Sequence, residues 1–195
     1  PDHELYWALF TNLQYGMALP SLLFGFSLLM AIISFRDTNG HLPWHQPAFL
    51  CLALSPFVFA AGGALGLFVD GADTRTPAHY HGVIAGINLS FMGLFYGLFL
   101  PLMGRDLQPS RTVNAQVWMF GGGQLLASLG LFMAGGYGTP RKTAGGAQNL
   151  SDLGAIVGMY LNGIGALIAI SGGVMFIWMI ARALLRSPKQ PVSDS

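Results

Sequence analysis

The sequence predicts an all-α integral membrane bundle of about five transmembrane helices, and three observations carry that prediction. Hydrophobic residues fill 53% of the 195 positions and charged residues only 9%, where soluble domains carry roughly a quarter charged. The apolar residues gather into five runs, at 7–35, 47–69, 77–103, 112–135 and 153–184. Each is long enough for a hydrocarbon core that needs roughly 20 helical residues. Turn and charge signals stand between them: Arg36-Asp37-Thr38-Asn39-Gly40, Asp70-Gly71-Ala72-Asp73, Gly104-Arg105-Asp106, and the long stretch from Gly136 to Asp152.

Prolines and glycines punctuate these runs. Pro47, Pro77 and Pro109 fall near helix starts, where a missing N–H does little harm. Pro20 and Pro56 lie inside spans and are expected to kink them, which membrane helices tolerate. Gly62/Gly66, Gly82/Gly86, Gly93/Gly97 and Gly154/Gly158 follow the four-residue spacing that lets helices approach closely. Residues 1–187 therefore read as one helical bundle and 188–195, Pro-Lys-Gln-Pro-Val-Ser-Asp-Ser, as a disordered tail.

Composition also excludes several classes. A single cysteine, Cys51, rules out an internal disulfide framework and any cysteine-based zinc or iron–sulfur centre built by this chain alone. Nine Lys and Arg against eight Asp and Glu leave no basic excess to suggest a nucleic-acid partner. The first apolar run is too long for a cleavable signal peptide and has no basic segment before it. The chain begins Pro1-Asp2-His3 rather than with Met, which suggests processing or a piece of a longer or split polypeptide. Cations orient the bundle: Arg36, Arg105, Arg111, Arg182, Arg186 and Lys189 gather on one side, and Arg75, Arg141 and Lys142 on the other. The C-terminus is thus expected in the cytoplasm. The segment 1–6 and the loops 70–77 and 136–152 are expected outside, with His79, His81, Arg141 and Lys142 near the same outer surface.

The chemistry concentrates in Thr76-Pro77-Ala78-His79-Tyr80-His81-Gly82, at the outer end of the third span. Ionisable groups inside a membrane are costly and point to function by default. Two histidines one residue apart on a helix point about 200° apart with about 3 Å of rise between them. They cannot chelate one metal together, but each can ligate a separate centre on its own flank. His79 continues onto Gly82, Gly86, Gly93 and Gly97, a smooth stripe for a flat macrocycle or a neighbouring helix. His81 shares its face with Ala85, Asn88 and Met92. A neutral imidazole is a standard axial ligand of haem iron; the plainer alternative has both rings at the water interface, hydrogen-bonded to loops.

From Glu4 to about Ser187 the chain resembles the last five helices of the twelve-helix main subunit of haem–copper oxidases, the cytochrome c oxidase subunit I family. The patterns match in order. Leu5-Tyr6-Trp7-Ala8-Leu9-Phe10-Thr11 running to Ala18-Leu19-Pro20-Ser21 is similar to the eighth helix. Trp44-His45-Gln46-Pro47-Ala48 and Phe59-Ala60-Ala61-Gly62-Gly63-Ala64-Leu65-Gly66 resemble the ninth. Asp73-Thr74 with Ala78-His79-Tyr80-His81 is similar to the Asp-Thr and Ala-His-Phe-His signature of the tenth. Gly138-Thr139-Pro140-Arg141-Lys142 resembles the Gly-Met-Pro-Arg-Arg segment before the last.

The resemblance implies two haems, of unspecified type. His79 would be the axial ligand of the high-spin haem where oxygen is reduced, and His81 that of the low-spin haem that relays electrons. Arg141 and Lys142 would meet haem propionates through charge-assisted hydrogen bonds. Asp73 would join a polar, metal-linked network above the haems, although it stands one residue closer to its histidine than in the familiar pattern. Ser21 would retain a hydroxyl of a proton path, while Phe24 replaces the lysine that many members carry there. Copper is expected in the complete site but not ligated by this chain, because its histidines belong to earlier helices. His3, His41 and His45 read as ordinary loop residues. The implied partners are the remaining helices of the subunit, other oxidase subunits, membrane lipid, and cytochrome c or quinol as electron donor, in a bacterial cytoplasmic membrane.

The implied activity is reduction of oxygen to water coupled to proton translocation. Three alternatives stay open: a nitric oxide reductase-like member of the same superfamily, a non-catalytic haem-binding membrane subunit, and a transporter with His79 and His81 along a polar path. The last fits poorly with the near absence of charge in the other spans.

Overall fold

The computed structural model describes residues 3–16, 18–69, 71–105, 107–148 and 150–186; the expected tail 188–195, with Lys189, lies outside the described residues. Among the described residues the fold is all-α, without strands beyond an isolated bridge between Asp73 and Pro140. Five helices are long and apolar enough to cross a membrane: Leu19–Asn39, Pro47–Gly66, Arg75–Leu102, Arg111–Gly136 and Leu153–Leu185. The chain is an integral membrane protein.

The described residues fall into two compact units, one before Trp44 and one from Trp44 onward. The first contains α1 (Glu4–Gly16) and α2 (Ala18–Asn39), on either side of Met17, which lies outside the described residues. Pro20 lies within α2 and has no N–H to offer the carbonyl of Gly16 four residues back. His3 caps α1, its Nδ1 accepting the Leu5 N–H at 3.2 Å. Within α2 the hydroxyls of Ser27 and Thr38 each donate to the carbonyl four residues earlier, at 2.9 Å, which hides them from lipid.

The second unit holds α3 (Pro47–Gly66), α4 (Arg75–Leu94), α6 (Arg111–Gly136) and α7 (Leu153–Leu185). A π-helical turn, Phe95–Phe99, carries α4 on into the short α5 (Leu100–Leu102). α3 packs on α4, α4 on α6, and α6 on α7. Apolar burial gives little drive between helices already in lipid, so contact depends on small residues and close van der Waals packing. A Cβ on Gly82 would lie 2.6 Å from the Gly62 Cα. A Cβ on Gly158 would lie 2.6 Å from the Ala134 nitrogen, and one on Gly165 would press on the Ala127 nitrogen. The glycines let these backbones touch.

Caps and turns follow local chemistry. Ser110 caps α6 by accepting the Val113 N–H at 3.3 Å, and Asp152 caps α7 by accepting the Gly154 N–H at 2.7 Å. Asn114 of α6 donates to the carbonyl of His45 at 3.0 Å, which places the starts of α3 and α6 at one end of the unit. In the π turn the Leu100 N–H reaches back five residues to the Phe95 carbonyl. Pro101 explains the wider turn, since its ring crowds the carbonyl four residues before it and it has no N–H.

Beside that turn lies a polar pair buried among apolar groups. The Tyr96 hydroxyl donates to Gln116 Oε1 at 2.6 Å, and Gln116 Nε2 reaches Met92 Sδ at 3.7 Å. Gln116 is 0% exposed and Tyr96 8%. Phe176 of α7 packs edge-on against both Phe95 and Tyr96. Leaving the glutamine unpaired in such a place costs about 1–3 kcal/mol. Tyr96→Phe should therefore lower the thermal stability of the purified protein, whereas the double change Tyr96→Phe with Gln116→Leu should recover much of the loss; a double-mutant cycle in detergent measures both.

Candidate functional site

Helix α4 begins at Arg75, two residues before its apolar run, and the Thr74 hydroxyl at that start makes a tertiary contact. Thr74 Oγ1 donates to the carbonyl of Leu131 on α6 at 2.8 Å, and makes no side-chain cap bond to its own helix. His79 and His81 both stand in the second turn of α4.

The two imidazoles enter different surroundings. His79 turns toward α3: its Nδ1 is 2.8 Å from the carbonyl oxygen of Gly62. A Cβ on Gly66 would lie 2.5 Å from the same nitrogen, so the missing side chain of Gly66 makes the room for the ring. A carbonyl oxygen can only accept, so the proton of the neutral ring sits on Nδ1. Nε2 then keeps its lone pair, which is the arrangement that orients and strengthens metal-ligating histidines.

His81 lies on the other flank, in a cleft of about 610 Å³ between α4, α6, α7 and the loop that joins the last two. Arg141 and Lys142 line the same cleft, with Tyr80 from α4 and Met159 and Asn162 from α7. The Tyr80 and His81 rings are in contact, centroids 4.9 Å apart and planes tilted by 39°. The stripe below His79 is occupied by a helix: a Cβ on Gly86 would meet Phe59, one on Gly93 would meet Cys51, and one on Gly97 would meet Ala48. The face expected for His81 divides, with Ala85 and Met92 buried and Asn88 exposed.

Backbone pairing holds the basic loop over the helix start. The Thr74 N–H donates to the Thr139 carbonyl at 3.0 Å, and the Arg141 N–H to the Ala72 carbonyl at 2.9 Å. Lys142 takes a left-handed backbone, φ 61°, which costs a non-glycine residue about 1–2 kcal/mol. Thr143 Oγ1 closes the turn by donating to the Pro140 carbonyl at 3.0 Å. The Thr139 hydroxyl is buried with no hydrogen-bond partner among the described residues.

Asp73 is engaged with its neighbour. Arg75 donates to it from its backbone N–H at 2.8 Å, from Nε at 2.9 Å and from Nη2 at 2.6 Å. The hydrogen bonds from the Arg75 side chain hold the Asp73 carboxyl below its ordinary value, against a smaller opposing effect of burial. Among the described residues no group of three or more His, Cys, Asp or Glu side chains gathers as a metal site. Ser21 lies on α2, in the unit before Trp44.

Residue reading missed several members of the cleft. Asn162 carried a signal, as an amide inside the apolar run of α7. Met159 and Tyr80 carried none, since an apolar or aromatic side chain in a span is ordinarily packing. The pairing of Gly62 and Gly66 with His79 is a contact between helices that no spacing along either one encodes.

No family model matches the chain. It is similar to an uncharacterised protein of Rickettsia prowazekii, 32% identical over 143 residues, covering 68% of this chain and 28% of that protein. It is also similar to cytochrome c oxidase subunit 1 of Thermus thermophilus, 26% identical over 195 residues, covering 90% of this chain and 35% of that protein. A second Thermus thermophilus sequence described as cytochrome c oxidase subunit 1 is 31% identical over 105 residues, and this chain covers 97% of it. The chain thus spans 28% and 35% of the lengths of the first two relatives.

The ion pair at the helix start sets a pH dependence. A carboxyl whose value is lowered in the folded state stabilises that state fully above about pH 4, its unfolded value, and ceases to do so as the pH falls through the lowered one. The Arg141 amide should keep its protection from about pH 7 down to pH 5 and lose it only in stronger acid. Asp73→Asn should remove that acid step and weaken protection at neutral pH; hydrogen–deuterium exchange, corrected for intrinsic rates, measures both.

Proposed function

The chain belongs to the cytochrome c oxidase subunit 1 family, and from that premise we propose that it is part of the catalytic subunit of a respiratory terminal oxidase. In this reading His79 holds the high-spin haem, His81 holds the low-spin haem, and the complete enzyme reduces oxygen to water with coupled proton translocation. The observation that carries it is the opposed setting of the two imidazoles: Nδ1 of His79 at 2.8 Å from the Gly62 carbonyl, and His81 in the cleft with Arg141 and Lys142.

The residues fit a haem on each flank. Nε2 of His79 has a lone pair free to ligate iron, fixed in direction by the hydrogen bond behind it. The cleft at His81 has a volume typical of a small-molecule site, and two cations at its outer rim suit a ligand that is apolar at one edge and carries carboxylates at the other. Arg141 can give a carboxylate a bidentate pair of hydrogen bonds, and Lys142 adds a point charge.

When bound, the haem irons supply electron relay and the reduction of oxygen. This chain's residues hold and tune: Gly62 sets the tautomer of His79, Gly66 leaves its space, and the paired loops keep Arg141 and Lys142 over the cleft. In this reading copper belongs to the complete site and is not ligated by this chain. Its ligands, and the second ligand of the low-spin haem, would come from other helices of the subunit. Other oxidase subunits and cytochrome c or quinol are the proposed partners. Asp73, through Arg75, would stiffen the polar layer above the haems, and Ser21 would lend its hydroxyl to a proton path. The proposed location is a bacterial cytoplasmic membrane, and the distribution of cations supports a C-terminus inside and histidines near the outer face.

The test is spectroscopic, on the intact complex purified from membranes. His79→Ala should abolish the carbon monoxide-reactive haem and keep the low-spin band, and His81→Ala should do the reverse. Gly66→Val should lower occupancy of the carbon monoxide-reactive haem alone. If both histidine variants retain both spectra, the assignment is wrong, and turnover with nitric oxide but not oxygen would redirect the substrate.

A further inference from the structure

His79 and His81 differ in what holds their rings. His79 has a hydrogen bond to a backbone carbonyl behind it. His81 has no hydrogen-bond partner among the described residues, and its side chain is exposed to the cleft. Its ring is in contact with that of Tyr80, at 4.9 Å between centroids and a 39° tilt. An imidazole without a second anchor rotates about its side-chain bonds, and the metal-ligand geometry it offers rotates with it. Aromatic pairs in offset or tilted contact are worth about 0.5–1.5 kcal/mol beyond simple burial, enough to favour one ring setting over its neighbours.

We propose that Tyr80 is the positioning residue of His81: its ring, packed against the imidazole, sets the rotation of the low-spin ligand, doing by contact what the Gly62 carbonyl does for His79 by hydrogen bonding. The inference rests on the proposed haem at His81 and goes beyond it by assigning a role to the residue between the two ligands. The aromatic face carries this role. The Tyr80 hydroxyl makes no hydrogen bond among the described residues, so the ring setting does not depend on it.

Two consequences separate this from simple packing. First, the phenol oxygen is dispensable: Tyr80→Phe keeps the face. Second, removal of the ring acts on the ligand plane, which low-spin haem reports in its electron paramagnetic resonance g values and in its midpoint potential. A packing defect elsewhere in the bundle would lower yield or melting temperature without moving either signal.

The experiment uses the intact complex, with Tyr80→Phe, Tyr80→Ala and Tyr80→Leu compared with wild type. Haem content is measured first, then low-temperature paramagnetic resonance of the oxidised form and an equilibrium redox titration. Tyr80→Phe should retain the wild-type low-spin signal and potential. Tyr80→Ala should broaden and shift the low-spin signal and displace its midpoint, with the carbon monoxide-reactive haem unchanged. Tyr80→Leu, which fills space without an aromatic face, should behave like alanine and carries the comparison if the alanine variant does not assemble. A wild-type signal in Tyr80→Leu, or a disturbance in Tyr80→Phe as large as in Tyr80→Leu, overturns the proposal. Absence of any low-spin haem in the wild-type complex would instead be a failure of the haem assignment, and is seen before the variants are compared.

Discussion

The contact of backbone on backbone between α3 and α4, at Gly62 and Gly82, is the constraint on which the rest of this unit depends. A Cβ on Gly62 would fall against Val83 and Gly82, and one on Gly82 against Gly62. Between helices that already sit in lipid, no hydrophobic gain compensates for a lost close fit. The same approach brings the Gly62 carbonyl within 2.8 Å of His79 Nδ1. One pair of glycines thus both joins the helices and sets the tautomer of the neutral ring beside them. Any side chain at that crossing would separate the helices and leave the imidazole without its acceptor.

The second element of the design is the meeting of two loops at the end of the unit where α4 begins. Thr74 uses both its amide and its hydroxyl to reach across, to the carbonyls of Thr139 and Leu131. Arg141 returns a bond to Ala72. The pairing is nearly all backbone, so the side chains of Arg141 and Lys142 are left to face the cleft rather than to build the loop. The left-handed Lys142 is consistent with that division, since strain of this kind persists where its surroundings over-determine it. Asp73 and Arg75 neutralise one another at the start of α4, and among the described residues neither Arg141 nor Lys142 is engaged by a carboxylate.

Several features were legible in the residues alone, and others were not. Five spans follow from length and apolarity, because every backbone polar group in lipid must be satisfied within its own segment. The π turn was not legible, since Phe95 to Phe99 has the composition of any apolar helix. For the site, the placement of His79 and His81 on opposite flanks follows from helical geometry. The residues that complete each surrounding, Gly62 and Gly66 for one and Tyr80, Met159 and Asn162 for the other, come largely from different helices. The glycine stripe below His79 admitted a macrocycle or a helix, and α3 occupies it.

By itself the sequence determined that this is a membrane-spanning helical protein with two imidazoles on opposed faces of one helix, because helical period and hydropathy are properties of single segments. Only the tertiary structure decided which nitrogen of His79 is held, which surface His81 faces, and which cations share its cleft. Those are relations between segments distant along the chain. They are set by how closely glycines let the helices approach and by which carbonyls that approach brings within reach of a donor.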